Sequence, residues 1–162
     1  MRTQAAGHPP APTPNPRRRL ALGMAALCAC LVGPAPAVAQ LPTVRLTAGI
    51  HLITAELADT DATRTRGLMF REHLPPNHGM LFVFESKAPH CMWMRNTLIP
   101  LSVAFLDDDG TVVNIHDMKP HDETSHCAAR PVRYALEMTQ GWFRDRGIKP
   151  GARIGGLPPT QR

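Results

Sequence analysis

The sequence predicts a mainly β fold, a small jelly-roll-like sandwich or barrel of about seven or more short strands with one or two short helices. After position 40, glycine and proline interrupt the chain about every ten residues, and the apolar runs between them have the length of strands. Only two segments have the pattern and flanking residues of a helix.

The strands follow the apolar runs in chain order. They are predicted at 44–46, 51–57, 80–84, 91–95, 101–106, 111–117, 133–138 and around 153–154. A hairpin turn is expected at 107–110, a second turn at the Pro75-Pro76 pair, and a long polar loop over 119–131. The helices are expected after Thr60 or Asp61, which serves as the N-cap, and before the glycine stop at Gly147.

Residues 1–39 have the layout of a secretory signal peptide. Three arginines at 17–19 precede an apolar run over 20–32, and the stretch ends in Ala37-Val38-Ala39. The apolar run is shorter than the roughly 20 residues that a membrane-spanning helix needs. We therefore expect cleavage before Gln40, export to the periplasm or the exterior, and one domain over 40–162 without an integral membrane span.

Charge argues against nucleic acid as a partner. The chain has 18 Lys and Arg against 13 Asp and Glu, but four of the arginines lie within residues 1–39. The remaining domain is close to neutral and lacks the basic surplus that attracts nucleic acid or anionic membranes. No glycine-rich phosphate loop or serine-centred nucleophile motif is present, and no cofactor is predicted.

The stretch HCMWMRNT at 90–97 and a second His-Cys pair at 126–127 raise the question of what the sulfur atoms do. Cys91 and Cys127 are the two cysteines that follow residue 39, and an exported protein folds in an oxidising compartment. Count and compartment favour a disulfide between them over a free thiol or a metal site. The alternative is a copper site, whose candidate ligands are His90, Cys91, Met92, His126 and Cys127.

Polar and aromatic side chains near the predicted strands form a candidate ligand site. Asn96 and Thr97 precede an apolar segment, where they either satisfy a turn backbone or face a pocket. Glu137 lies in an apolar strand, and a carboxylate that points inward there needs a partner, for which an arginine is suitable. The candidate ligand-binding residues are Arg66, Arg71, Trp93, Asn96, Thr97 and Glu137.

Four motifs occur in order along the domain: RGLMFR at 66–71, GMLFVF at 79–84, MWMRNTLIPLSVAFLDDDGTVVNI at 92–115 and RYALEMTQGWFRDRGIKPGARI at 133–154. Together they resemble the domain of unknown function family 192, over about residues 44–155. The resemblance implies a small, mostly β, jelly-roll-like domain, often exported, and it brings no catalytic residues. The chain departs from the family pattern at Ser102, where an aspartate is usual.

Three functional hypotheses follow. The leading one is an exported envelope module that binds a small ligand, such as a sugar or a carboxylate, or an envelope protein. The second is an enzyme acting on envelope carbohydrate, or another hydrolase, with Glu137 or an acid within 117–123 as acid or base. The third is a copper-binding protein. They separate on whether Arg66, Trp93, Asn96, Thr97 and Glu137 converge on one concave surface.

Overall fold

The computed structural model describes residues 40–159, so the predicted signal peptide at 1–39 lies outside the described residues. Within 40–159 the chain forms nine strands and two short helices, which confirms the mainly β prediction. The strands are β1 Thr43–Ala48, β2 His51–Ala58, β3 His78–Ala88, β4 Cys91–Met92, β5 Leu101–Leu106, β6 Val112–Met118, β7 His126–Cys127, β8 Val132–Thr139 and β9 Ile154–Gly155. The helices are α1 Asp61–Arg66 and α2 Trp142–Asp145.

Seven strands form one curled sheet, a half-barrel, in the order β6-β5-β8-β3-β2-β1-β9. The strands β4 and β7 form a separate two-stranded ribbon. Neighbours in the large sheet are antiparallel except β2 and β3, which run parallel. Parallel neighbours require a crossover connection rather than a hairpin. Residues 59–77 make that crossover, and they contain α1 and the predicted Pro75-Pro76 turn.

Both faces of the large sheet are covered. Because side chains alternate along a strand, Tyr134 and Leu136 of β8 enter one core, whereas Ala135 enters another. The first core also contains Trp142 and Phe143 of α2. The second core lies under the crossover and the segments that surround the β4–β7 ribbon.

Segments outside the sheet close the second core. Leu68 after α1, Met94 after β4 and Ala128 after β7 are buried with Phe82 and Phe105 from the sheet. These connecting segments are therefore packed parts of the domain, and they bring the predicted site residues onto one face of the sheet.

The strand predicted at 91–95 is wrong in its extent, because β4 ends at Met92. Beyond it the chain turns: the Thr97 N–H donates to the Met94 carbonyl at 3.0 Å, and Asn96 has a φ of 55°. Met92 and Met94 consequently do not share a strand face. Met94 is fully buried, and Met92 is partly buried.

The long loop predicted at 119–131 is interrupted by β7. The predicted hairpin around 107–110 and the two helices are present, and β5 has the predicted bounds. None of the helices between residues 40 and 159 is long and apolar enough to cross a membrane.

Candidate functional site

A cavity of about 320 Å³ opens on the second face of the sheet, between α1 and the segment that follows β4. Strands β3 and β8 form its floor. Four of the six predicted ligand-site residues line it, namely Arg66, Trp93, Thr97 and Glu137.

Glu137 is the floor residue with the most unusual environment. The alternation of β8 places it on the second face, paired in register with Met80 of β3 and Val103 of β5. Its exposure is 3 %, and within residues 40–159 its carboxyl group has no hydrogen-bond or ion-pair partner. Burial raises the pKa of Glu137 from 4.5 to about 8. The group is therefore mostly protonated at pH 7.

The ion pair expected between Glu137 and an arginine is not formed. Arg71 binds Glu56 instead, with 2.5 Å between Nη2 and Oε2, and it does not line the cavity. Arg66 lines the cavity, but its guanidinium is not within the 4.0 Å of Glu137 that defines an ion pair. Neither arginine therefore pairs with the buried carboxyl group.

The end of helix α1 positions Arg66 at the rim. Thr60 caps the helix: its hydroxyl accepts from the Thr63 N–H, and the Thr63 side chain accepts from the Thr60 N–H. The chain then leaves the helix through Gly67, where a Cβ atom would lie 3.2 Å from Phe82 Cζ. Arg66 is exposed, and its guanidinium has no hydrogen-bond or ion-pair partner in the part of the chain that the structure describes.

Arg64, two residues earlier, is fully engaged. Its guanidinium donates to the carbonyls of Asp59 and Val83, and it pairs with Asp61 at 2.6 Å and with Glu85 at 3.2 Å. It therefore holds α1 against β3. Both arginines line the cavity, but these contacts occupy the guanidinium of Arg64, whereas that of Arg66 has no partner among residues 40–159.

The turn after β4 forms the other side of the rim. Trp93 is 49 % exposed, with the Arg95 guanidinium 6.0 Å from its ring centroid. Thr97 is buried and lines the cavity, and its hydroxyl donates to the Arg95 carbonyl at 3.4 Å. Asn96 does not line the cavity. It takes the left-handed turn conformation, and its carbonyl accepts from the Phe70 N–H at 2.9 Å.

The predicted disulfide is formed between Cys91 and Cys127, which face each other across the β4–β7 ribbon with Cα atoms 3.9 Å apart. Because both sulfur atoms belong to the disulfide, neither cysteine is a thiolate that could bind copper. His90 stacks on Phe84, with 3.6 Å between the ring centroids. Between residues 40 and 159, no group of three or more His, Cys, Asp or Glu side chains is arranged to hold a metal ion.

Sequence reasoning missed the apolar walls of the cavity. Leu68, Met69, Phe82 and Phe84 line it, together with Met92, which was named from the sequence only as a candidate copper ligand. Phe82 and Phe84 stand two residues apart in β3, and this spacing could have indicated that they share a face. Nothing in the local sequence of Leu68 and Met69 indicates that the crossover brings them opposite β3.

Comparisons with known proteins agree with this fold. A crystal structure from Sinorhizobium meliloti 1021, described as a candidate transcription regulator, is 39 % identical with a TM-score of 0.69, over 73 % of this chain and 96 % of that one. A protein of unknown function from Novosphingobium aromaticivorans DSM 12444 has the same identity and TM-score, over 73 % of this chain and 88 % of that one. The search of curated proteins found no match. The family model DUF192, described as "Uncharacterized ACR", matches residues 43–156, and the chain therefore belongs to the DUF192 family.

Proposed function

We propose that this chain is an exported envelope module that binds a small polar ligand in the cavity beside α1. The observation that carries the proposal is the buried carboxyl group of Glu137, which faces the cavity without a partner among residues 40–159. Buried polar groups in native proteins are almost always hydrogen-bonded. A ligand that fills the cavity and hydrogen-bonds to this carboxyl group would supply the partner that residues 40–159 do not.

The rim offers two further kinds of contact. Trp93 is about half exposed, so its ring can stack on a ligand. Arg66 is an unpaired donor at the same opening, and its guanidinium suits a carboxylate or several ligand oxygens. An apolar wall with a few converging polar groups is the usual composition of a small-molecule site.

The carboxyl groups of the cavity favour binding over hydrolysis. Two-carboxylate catalysis places both acids beside the scissile bond. Asp61 is the second carboxyl group that lines this cavity, but its side chain is 94 % exposed and pairs with Arg64 at 2.6 Å. The cavity therefore presents one buried acid rather than a facing pair.

Export is part of the same proposal. It is supported by the sequence of residues 17–39, with its basic, apolar and small-residue segments. The Cys91–Cys127 disulfide also supports it, because disulfides persist mainly in oxidising compartments.

A thermal-shift screen of sugars, carboxylates, amino acids and metal ions tests the binding proposal. The variants are Trp93→Ala and Leu98→Ala, a matched control on the same turn whose side chain is exposed and does not line the cavity. We expect at least one compound to stabilise the wild type and Leu98→Ala but not Trp93→Ala, each relative to its own unliganded midpoint. Failure of every compound, or equal shifts in both variants, would refute a ligand site at this cavity.

A further inference from the structure

The cavity contains a carboxyl group and a guanidinium that do not pair with each other. Glu137 is at its floor and Arg66 is at its rim, and the carboxyl group and the guanidinium are farther apart than an ion pair allows. A carboxyl group and a guanidinium that share a small cavity without pairing leave a gap between them. A ligand with complementary groups at its two ends would fill that gap.

The other charges that face Glu137 do not supply a partner. The charged groups that line the cavity with it are Asp61, Arg64 and Arg66, all on α1. Arg64 is neutralised by Asp61 and Glu85. On the adjacent strands the residues in register with Glu137 are the uncharged Met80 and Val103. The unmatched groups are thus a buried acid below and one guanidinium above.

We propose that the ligand is a small zwitterion of amino-acid size, with its ammonium group on Glu137, its carboxylate on Arg66 and its apolar part against Phe82 and Trp93. This inference rests on the proposed function, since it specifies the ligand of the same cavity. In this orientation the ammonium group of the ligand lies on the buried carboxyl group at the floor, and its carboxylate lies on the exposed guanidinium at the rim. The volume of about 320 Å³ is at the lower end of the range for ligand pockets, which suits a molecule of this size.

Binding of such a ligand has a defined proton balance. The buried carboxyl group of Glu137 gives up its proton to the buffer, and the resulting carboxylate pairs with the ammonium group, which is already charged in solution. Because burial raises the pKa of Glu137 to about 8, the free protein holds roughly 0.9 proton at this group at pH 7. A sugar or a simple carboxylate would leave that proton in place.

Isothermal titration calorimetry of the purified protein at pH 7, in phosphate and in Tris, measures the released protons. The probes are glycine, leucine and phenylalanine, together with phenethylamine, phenylpropionate and galacturonate. We expect an amino acid to bind with release of roughly 0.9 proton, and its amine-only and carboxylate-only analogues to bind more weakly. Glu137→Gln should abolish the proton release and weaken binding at least ~30-fold. Arg66→Gln should weaken binding, whereas Arg45→Gln, an exposed arginine of β1 away from the cavity, should not.

The outcomes separate the two proposals. Binding of galacturonate or another probe without proton release, lost in Trp93→Ala, would overturn the zwitterion and leave the binding site standing. Absence of binding by every probe would overturn the zwitterion, and the thermal-shift screen would then decide whether the cavity binds a ligand of another class. The wild-type proton count, together with the comparison of each amino acid with its amine-only and carboxylate-only analogues, decides the matter even if Glu137→Gln does not fold, because neither measurement needs a variant.

Discussion

Glu137 couples the stability of the fold to pH. Burial raises the pKa of its carboxyl group from 4.5 to about 8 in the folded chain. As the pH rises through this interval, the unfolded chain loses the proton while the folded chain keeps it, so the folded state holds more protons. The free energy of unfolding therefore falls from pH 4.5 to pH 8, by up to about 5 kcal/mol from this group.

Replacing Glu137 by glutamine removes the titration and keeps the size of the side chain. We expect the wild type and Glu137→Gln to have similar urea midpoints at pH 5, and the variant to have the higher midpoint at pH 8. Glu123→Gln, at an exposed position, should keep the wild-type response to pH. Parallel pH profiles of the wild type and Glu137→Gln would show that Glu137 does not titrate as a buried group.

Ser102 links β5, β6 and the start of α2, at the position where the chain departs from the family pattern. Its buried hydroxyl accepts from the Gly141 N–H at 2.8 Å and donates to the carboxylate of Asp117. Ser102 on β5 and Asp117 on β6 are paired in register. Together they place a hydroxyl acceptor beside the Gly141 N–H and a carboxylate beside that hydroxyl. Ser102 therefore supplies an acceptor for the buried Gly141 N–H.

Ser102→Ala should destabilise the domain, because it leaves the Gly141 N–H buried without an acceptor. The expected loss in the free energy of unfolding is about 1–3 kcal/mol, measured by urea denaturation. Ser86→Ala, at an exposed position, should change it by less than about 0.5 kcal/mol. Equal stability of the two variants would contradict this role for Ser102.

At single positions, the sequence indicated that Glu137 would need a partner if its side chain pointed inward, and it left that direction open. The side chain is buried because both faces of β8 are covered. Its lack of an arginine partner depends on where the crossover leaves Arg66 and Arg71, and local patterns do not contain that information. Asn96 and Thr97 show the same limit, since one serves the turn and the other lines the cavity.

At the scale of elements, the bounds of a strand were predicted where an apolar run between turn residues decides them. β5 is buried along its whole length and has the predicted bounds. β4 is shorter than predicted because Met94 leaves the strand to enter the second core, and its N–H donates to the Asp122 carbonyl at 2.8 Å. That contact joins residues far apart in the chain, which a local pattern cannot indicate.

The disulfide stabilises a ribbon that is otherwise short, since β4 and β7 have two residues each. Removing a bridge between residues separated by 36 positions should lower the free energy of unfolding by roughly 3–4 kcal/mol. We expect the double variant Cys91→Ala/Cys127→Ala to show this loss in urea, and reduced wild type to match it. Dithiothreitol should leave the double variant unchanged. A wild-type midpoint insensitive to reduction would contradict the prediction.

At the scale of the whole molecule, composition predicted the fold class, but it did not predict which strands pair with each other. Short apolar runs between glycine and proline indicate many short strands, and the structure has them. The parallel pairing of β2 with β3 depends on the long-range pairing of strands across the 59–77 crossover. That crossover also forms one wall of the cavity, so the candidate site could be predicted only as separate residues.

Processing is the prediction that concerns the whole chain. Signal peptidases cleave after small residues at an A-x-A site, so we expect the new terminus at Gln40. Intact-mass measurement of the periplasmic fraction should give the mass of residues 40–162, with no alkylation before reduction and two alkylated thiols after it. Ala39→Leu should retain the uncleaved chain, because the branched side chain blocks the cleavage site. A wild-type mass that includes residues 1–39, or one with a lipid at Cys30, would contradict cleavage before Gln40. Thiols that alkylate without reduction would contradict folding in an oxidising compartment.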